Sequence, residues 1–336
     1  MKFAIGYQLP DEDDSTLAIV RDFREHVHEV YFPWLSMPSG RSPMMTPDEA
    51  ADEGLRACFE GELAEIAATG VKLDLLLNAS CYGAAACSRS LVDAVHSVIV
   101  RLLETSGLHA VTTMSPIIAE AVKRSFPRLD VRASVNMRLG TVQAMQYVAD
   151  MFDSFYVQRE FNRDITRLME LKAWADANGK RLFLLANSGC LNWCAVQTFH
   201  DNLVAHEAEA ALNADMGFDA PPQCWRFLMR PENRVFFLRN SWIRPEDLHH
   251  YEHLFDVVKL ATRMHANPRR VVEAYAGGAY SGNLPDLFEP GHGALFAPRI
   301  IDNTRFPADW FQRTSACDKL CHKCGYCDSV MQQVLV

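Results

Sequence analysis

Cysteines carry the most specific chemical signal in this sequence of 336 residues, ten of them in all. Cys190 and Cys194 lie four residues apart in the run NSGCLNWC, directly after an apolar run that reads as a strand. A denser group near the C-terminus, in the run CDKLCHKCGYC, comprises Cys317, Cys321, Cys324 and Cys327. Thiolates grouped at such spacings bind iron–sulfur clusters or zinc. The sequence therefore predicts a metal centre, and Cys224 is a further candidate ligand for the first group.

The spacing of the second group favours an iron–sulfur cluster over zinc. Its four cysteines fall within eleven residues, with gaps of three, two and two, the reverse order of a bacterial ferredoxin run. A zinc ribbon separates its Cys-x2-Cys pairs by a longer segment. We therefore predict one 4Fe-4S cluster, or two. The partition is open: Cys317 completes a site begun by Cys190, Cys194 and Cys224, or the thiols divide into three plus four.

Two other interpretations of the cysteines carry less weight. Cys317, Cys321 and Cys324 also resemble the Cys-x3-Cys-x2-Cys motif of radical S-adenosylmethionine enzymes, in which the motif follows the first strand of the barrel. Here the motif comes after the whole predicted barrel, and that position argues against a radical enzyme. The remaining cysteines are predicted to be small buried apolar residues, and they are Cys58, Cys81 and Cys87.

Composition and charge indicate which partners and which cellular compartment to expect. The formal net charge is −9 and no block of five or more Lys and Arg residues occurs, so nucleic-acid partners are not indicated. The first residues, MKFAIGYQLPDEDD, hold too short an apolar run for a signal peptide, and no window reaches about 18 apolar residues. A cytoplasmic, reducing location and no membrane span are the expectations. In such a compartment clustered thiols indicate metal or redox chemistry, not disulfides.

The elements that must position these groups follow an alternating pattern. Short β-type runs alternate with longer amphipathic segments, as in βα units on a parallel sheet. The eight candidate strands are residues 2–5, 28–32, 72–77, 109–113, 130–135, 154–157, 181–186 and 256–260. Eight in succession favour a closed barrel over an open doubly wound sheet, and no glycine-rich phosphate-binding motif follows any of them. We therefore predict the α/β class and a (β/α)8 barrel of the TIM type.

End signals place three of the helices and the limits of the barrel. The helices are predicted over 48–68 after the cap Thr46, from Ser88 or Ser90 to Thr105, and over 163–177. Prolines break the rhythm near residues 201–240, which we interpret as an insertion. The barrel domain is predicted over 1–276. Residues 277–336, rich in Gly, Pro and turns, are predicted to be an irregular cysteine-rich extension packed on it.

In a barrel of this type, chemistry takes place at the carboxyl ends of the strands and in the loops after them. Candidates for catalysis are Arg138, Glu160, Lys259 and His200, and candidates for substrate binding are Asn78, Asn136, Gln158 and Arg263. The cations would hold an anionic or electron-rich substrate, while Glu160 or His200 would move a proton. Structural ion pairs and a buried structural histidine are the alternatives left open.

Two longer stretches carry a family resemblance. LLANSGCLNWCAVQTFHDNL and SWIRPEDLHHYEHLFDVVKLATR are similar to segments of the collagenase-like peptidase family, U32. The stretches VQREFNRD and AYAGGAYSGNLPDLF also resemble it. The resemblance implies an iron–sulfur barrel protein of the kind that hydroxylates ubiquinone precursors or RNA bases without dioxygen. Older assignments in the family imply a peptidase instead.

Three functional hypotheses follow. The first is an oxygen-sensitive iron–sulfur enzyme that carries out a redox modification, such as hydroxylation, of a small-molecule or peptide-borne substrate. The second is an accessory iron–sulfur protein that passes electrons to a partner, since some members of the family work in pairs, so an electron donor or a paired family protein is an expected partner. The third is a peptidase, although the sequence has no HExxH motif or serine triad pattern to support it.

Overall fold

The computed structural model describes residues 1–10, 14–35, 37–41, 44–45, 47–207 and 223–336. Eight parallel strands form a closed barrel in sequence order, with β8 paired to both β7 and β1. They are β1 (Lys2–Gly6), β2 (Val27–Pro33), β3 (Lys72–Leu77), β4 (Ala110–Thr113), β5 (Asp130–Ala133), β6 (Ser154–Tyr156), β7 (Arg181–Leu185) and β8 (Val257–Lys259). The predicted (β/α)8 barrel is confirmed, and every predicted strand end lies within two residues of the observed one.

Helices surround the barrel and connect its strands. In the described residues they are α1 (Thr16–Asp22), α2 (Pro47–Ala51), α3 (Glu53–Ala68), α4 (Arg89–Thr105), α5 (Pro116–Ser125), α6 (Val142–Tyr147), α7 (Ile165–Ala177), α8 (Gln197–Ala205), α9 (Gln223–Leu228), α10 (Pro268–Gly277), α11 (Trp310–Ser315) and α12 (Tyr326–Val334). Side-chain caps fix several starts, because a cap oxygen satisfies a backbone N–H that has no partner inside the helix. Ser88 caps α4 and Asp164 caps α7 in this way.

The prediction of a single helix over 48–68 is wrong, because this segment forms two helices. Asp52 interrupts it, and its carboxylate accepts a hydrogen bond from the Leu55 backbone N–H at 2.9 Å. Asp in this role favours a helix start over a helix interior, so two helices form, α2 and α3. The predicted cap Thr46 lies outside the described residues.

The interior of the barrel holds charges as well as apolar side chains. Arg132 on β5 donates to Glu29 at 2.7 Å and to Asp130 at 2.5 Å, and all three side chains are buried. The hydroxyl of Thr112 donates one hydrogen bond that both carboxylate oxygens of Asp74 share, at 2.7 and 2.9 Å. Burial raises the pKa of Asp74 to about 7, against the opposing effect of the Arg132 cation. Buried charges are costly unless they are paired, so this network holds the strands in one arrangement.

After β8 and α10 the chain has no regular strand among its described residues. Residues 277–336 form short 3₁₀ turns followed by α11 and α12. Aromatic rings connect this part to the chain before β8. The ring of Trp242 stacks on Trp310 and Phe288 of this part, with centroids 5.9 and 5.2 Å apart. The division into a barrel domain, 1–276, and an extension, 277–336, stays a prediction, as does the insertion near 201–240, of which residues 208–222 lie outside the described part.

None of the helices in the described ranges is both long enough and apolar enough to cross a membrane.

Candidate functional site

A large cavity of about 980 Å³, here called the mouth cavity, opens at the carboxyl end of the barrel. Its walls come from the loops after β2, β6, β7 and β8, from α8 and α9, and from the segment 285–294. The polar, sulfur and aromatic side chains on these walls include Arg41, Arg159, Cys190, Cys194, His200, Asp201, Cys224, Trp225, His265 and Glu289. Loops after parallel strands carry the functional groups of TIM barrels, so the position agrees with the expected site.

Three of the predicted metal ligands share this cavity. Cys190, Cys194 and Cys224 are all half-buried and all free thiols. Cys190 and Cys194 both lie in the loop after β7, because α8 begins only at Gln197. Burial raises the pKa of Cys224 to about 11, and the two other thiols add to the effect. Binding of a metal would therefore have to displace a proton from Cys224 at neutral pH.

Backbone contacts fix the loop that carries Cys190. The Gly189 N–H donates to the Glu289 carbonyl at 3.0 Å, and the Glu289 N–H donates to the Asn187 carbonyl at 3.2 Å. The Asn187 amide nitrogen donates to the carbonyls of Ala261 and Leu287, both at 2.9 Å. A Cβ atom on Gly189 would collide with the carbonyl oxygen of Pro290. Only glycine allows this close approach, which explains the Gly in the NSGC run.

An ion pair from two distant loops borders the same thiol. Arg41 donates to Glu289 at 2.9 Å, and the other carboxylate oxygen of Glu289 accepts from the Met264 N–H at 3.2 Å. Burial alone would raise the pKa of Glu289, but the Arg41 cation and these hydrogen bonds hold it below its usual range. Burial opposes the charge of Arg41, but the Glu289 carboxylate, with a smaller contribution from the nearby Cys190, raises the pKa of the guanidinium. Glu289 is therefore a carboxylate at neutral pH, and Arg41 is already neutralised.

The C-terminal thiols form a separate group around a much smaller cavity, here called the tail cavity. Its lining includes Cys317, Cys321, Cys327, Glu160, Arg163, Arg239 and Lys319. Cys324, by contrast, is exposed and lines neither cavity. Burial raises the pKa of Cys327 to about 11, while the Arg163 and Arg239 cations oppose the shift. Cys317 thus lies with Cys321 and Cys327 and not with Cys190, while the partition of the thiols between metal centres stays a prediction.

The donor sets fit an iron–sulfur cluster in their chemistry. Such clusters are held by thiolates, and the Arg163, Arg239 and Lys319 cations around the tail thiols would balance the negative charge. Within the described ranges, no three Cys, His, Asp or Glu side chains lie close enough together to hold one metal ion. The tail cavity has a volume of about 30 Å³, and Cys324 does not line it.

The predicted catalytic residues do not gather in one place. His200, on α8, lines the mouth cavity, whereas Glu160 lines the tail cavity with its Oε2 atom lacking a hydrogen-bond partner in the described residues. Arg138 forms an ion pair with Asp201 at 3.1 Å. Lys259 lies inside the barrel, its Nζ 3.6 Å from the Tyr31 ring centroid, and burial lowers its pKa to about 8. Of these four side chains, His200 alone lines the mouth cavity.

The predicted substrate-binding residues lie beside the mouth cavity but do not line it. Asn78 accepts a hydrogen bond from the Gly40 N–H at 2.9 Å, and Arg263 donates to Ser39 at 3.0 Å. The Asn136 side chain also packs closely against Gly40, and the Gln158 side chain packs closely against Gly140. Such contacts support the loops around the mouth, since they connect side chains after one strand to the backbone of another loop.

Several cavity residues were missed by sequence reasoning. Arg159 directly precedes the predicted Glu160. Arg41, His265 and Glu289 come from loops and turns that no local motif marks, and Trp225 lies on α9. Arg41 and Glu289 are 248 residues apart in sequence, and only the folded chain pairs them.

The prediction for the three other cysteines needs correction. Cys58, on α3, and Cys87 are exposed, and Cys81 is half-buried. The reason is local: the apolar core side of α3 is occupied by Phe59, Leu63 and Ile66, which leaves Cys58 on the solvent side.

Comparison with known proteins gives a consistent picture. No family model matches the sequence. The chain is 23% identical over 274 residues to the "Uncharacterized protease MJ1657" of Methanocaldococcus jannaschii, covering 79% of this chain and 77% of that protein. The solved structure of the U32 peptidase Mk0906 shares the fold, with a TM-score of 0.54, 16% identity, and coverage of 77% of this chain and 92% of that one. These matches, with the motifs above, support a relationship to the U32 peptidase family.

Proposed function

We propose that this relative of the U32 peptidases is an iron–sulfur barrel enzyme that carries out a redox modification, such as hydroxylation without dioxygen, of a small-molecule or peptide-borne substrate. The observation that carries the proposal is the pair of thiol groups at one end of the barrel, one bordering a large cavity and one bordering a smaller cavity beside it. Fold alone does not indicate a reaction, so the argument rests on these side chains.

The two thiol groups are separated by little more than one loop. Leu191 lines the mouth cavity, whereas the next residue, Asn192, lines the tail cavity. Likewise Arg159 lines the mouth cavity, and its neighbour Glu160 lines the tail cavity. Two metal centres placed on opposite sides of this wall would be near neighbours, as electron transfer to a substrate site requires.

The mouth cavity has the features of a substrate site. Its volume of about 980 Å³ lies at the upper end of the range for small-molecule pockets, about 300–1,000 Å³. The apolar and polar side chains on its walls would orient a substrate, and the imidazole of His200 on one wall could move a proton. A 4Fe-4S cluster, when bound, would supply electron transfer or an open iron that acts as a Lewis acid.

The test is the metal content of protein purified without oxygen. We expect iron and acid-labile sulfide in equal amounts, roughly four of each per cluster, with a brown colour and a broad visible absorption. Cys190→Ser should remove the iron of the mouth group and Cys321→Ser that of the tail group, while the exposed Cys87→Ser serves as the matched control. Colourless protein that contains only zinc would overturn the proposal.

Assays of the same preparation separate catalysis from an accessory role. With reductant and candidate substrates under anaerobic conditions, an enzyme forms product by itself. An accessory electron carrier is reduced and reoxidised but forms product only after a partner protein is added. Loss of product formation in Cys190→Ser, with the tail iron retained, would connect the mouth group to the reaction.

A peptidase is the second candidate, favoured by the name of the relative from Methanocaldococcus jannaschii and by one feature of the site. His200 and the thiols Cys190 and Cys194 line the same cavity, and a thiol with a nearby base is a possible nucleophile. A peptidase would cleave peptides aerobically, without iron or reductant. Cleavage that persists in metal-free protein and is lost in Cys190→Ser would favour it over the redox enzyme.

A further inference from the structure

Arg159 is a buried cation without a partner among the residues that the structure describes. It lies in the 3₁₀ turn Arg159–Phe161 after β6, is 6% exposed, and lines the mouth cavity. Its guanidinium makes no hydrogen bond, ion pair or ring contact with any residue in the part of the chain that the structure describes. Arginine has five donors in a planar fork, and a buried arginine without acceptors is unusual.

Two ion pairs account for four of the other charged groups at this cavity. Arg41 is paired with Glu289 at 2.9 Å, and Asp201 is paired with Arg138 at 3.1 Å. Arg270 is exposed, so water can solvate its guanidinium. Arg159 therefore contributes one buried positive charge to the wall that no described side chain neutralises. A buried charge of this kind is stabilised when a ligand supplies the missing acceptors.

We propose that Arg159 binds the carboxylate of the substrate in the mouth cavity. A carboxylate has one negative charge and two coplanar oxygens, which match the single free guanidinium and its fork of donors. A phosphate monoester carries up to two charges and would need a second cation. The other arginines on the described cavity wall are Arg41, which is paired with Glu289, and Arg270, which is exposed to water. The charge balance of the site thus favours a carboxylate over a phosphate.

The rest of the cavity indicates the body of this ligand. Around the polar groups the walls are apolar, with side chains of Leu191, Leu203, Val204, Trp225, Met264 and Phe288. Such walls favour an aromatic or aliphatic body, and the indole ring of Trp225 offers a flat surface for a planar ring. The expected ligand is therefore an aromatic or aliphatic molecule with a carboxylate that binds Arg159.

This inference deepens the proposed function by naming the substrate class, and it rests on that proposal only for the reaction that follows binding. The test is calorimetric titration of the full chain with 2-naphthoate, and with 2-naphthamide as a neutral probe of the same shape. We expect naphthoate to bind at least ten-fold more tightly than naphthamide. In Arg159→Gln that preference should fall by roughly 10- to 100-fold, the range for a hydrogen bond to a charged group.

Matched variants keep the test decisive. Arg159→Lys retains the charge but not the fork, so a partial preference should remain, and it covers the case in which Arg159→Gln does not fold. The exposed surface arginine Arg124→Gln is the control and should keep the full preference. Thermal melts establish that each variant is folded.

The inference is overturned if wild-type protein does not bind naphthoate, or if the preference survives in folded Arg159→Gln. Tighter, Arg159-dependent binding of 2-naphthyl phosphate would overturn the assignment of a carboxylate. Iron is measured in every sample. Naphthoate preference in iron-free protein supports this inference even if the iron–sulfur proposal fails, and its absence in iron-loaded protein counts against this inference alone.

Discussion

The mouth and tail thiol groups lie at the same end of the barrel, but the chain assembles them differently. The tail group comes from one short run, and Cys317, Cys321 and Cys327 lie together around a small cavity among cations. The mouth group combines a loop after β7 with Cys224, and its loop is held by backbone contacts to Glu289, a hundred residues later in the chain. The tail group is therefore local, and the mouth group depends on the barrel.

Under the proposed function, this difference would give the two groups different roles. The small cavity with three cations around its half-buried thiols would suit a centre that exchanges only electrons. The cavity of about 980 Å³, on whose wall Arg159 has no partner among the described residues, would suit a centre beside which a substrate binds. Four changes to the protein, given from the largest expected effect to the smallest, would break or sharpen this comparison.

Arg163→Met should damage the tail side most. Arg163 is buried, donates to the carbonyls of Trp242 and Leu238 at 2.7 to 3.1 Å, and lies over the Trp242 ring at 4.2 Å. Its loss leaves two carbonyls without these donors and removes a cation from the tail thiols, so we expect a loss of about 3 to 5 kcal/mol in the free energy of unfolding. Urea denaturation measures it, with Arg124→Met as the control. An effect below about 1 kcal/mol would contradict the role given to Arg163.

Low pH should decrease the stability of the folded protein through His292, which lies behind the mouth cavity. His292 is fully buried beside Trp225, neither ring nitrogen has a hydrogen-bond partner in the described residues, and burial lowers its pKa to about 4. The unfolded chain takes up this proton near pH 6.5 and the folded chain only near pH 4, so stability falls as pH falls through this window. The loss amounts to about 3 kcal/mol at full protonation.

Denaturation curves between pH 7 and pH 4 test this expectation. His292→Leu should flatten the decrease of stability with falling pH, whereas the exposed His253→Leu should leave the slope of the wild type unchanged. Equal slopes for wild type and His292→Leu would show that the protonation of other groups controls the acid response.

Gly189→Ala should damage the mouth group and spare the tail group. The added Cβ meets the carbonyl oxygen of Pro290 and lies 3.3 Å from the Cβ of Phe288, so the loop with Cys190 must move. We expect a loss of about 1 to 3 kcal/mol in stability and loss of the iron of the mouth group. Gly277→Ala is the matched control, because its Cβ meets nothing within 4 Å, and it should be neutral or slightly stabilising. Equal iron loss from both groups would contradict their independence.

Asp328→Asn should have the smallest effect. Asp328 accepts from Arg239 at 2.9 Å near the tail thiols, but its side chain is 47% exposed, and exposed ion pairs contribute little. We expect a change below about 1 kcal/mol in the free energy of unfolding and unchanged iron content. A large loss of iron in this variant would show that the surface pair, and not the buried Arg163, positions the tail loop.

Sequence by itself determined the barrel and the cysteine groups. Short β-type runs and helix caps such as Ser88 are local signals, and the β-type runs located all eight strands to within two residues. Cysteine spacing in the run CDKLCHKCGYC is likewise local, so the thiols of the tail group could be recognised without a structure. The motif around Cys190 also placed that residue correctly after a strand.

Only the tertiary structure decided which side chains share a cavity. Closing the barrel pairs Arg41 with Glu289, puts Lys259 beneath the mouth against Tyr31, and separates Arg159 from Glu160 onto two cavities. The order of residues along a chain does not specify these contacts, because they depend on the directions of side chains in turns and on the packing of loops from distant positions. The sequence thus predicted where the site lies, and packing selected the residues that face it.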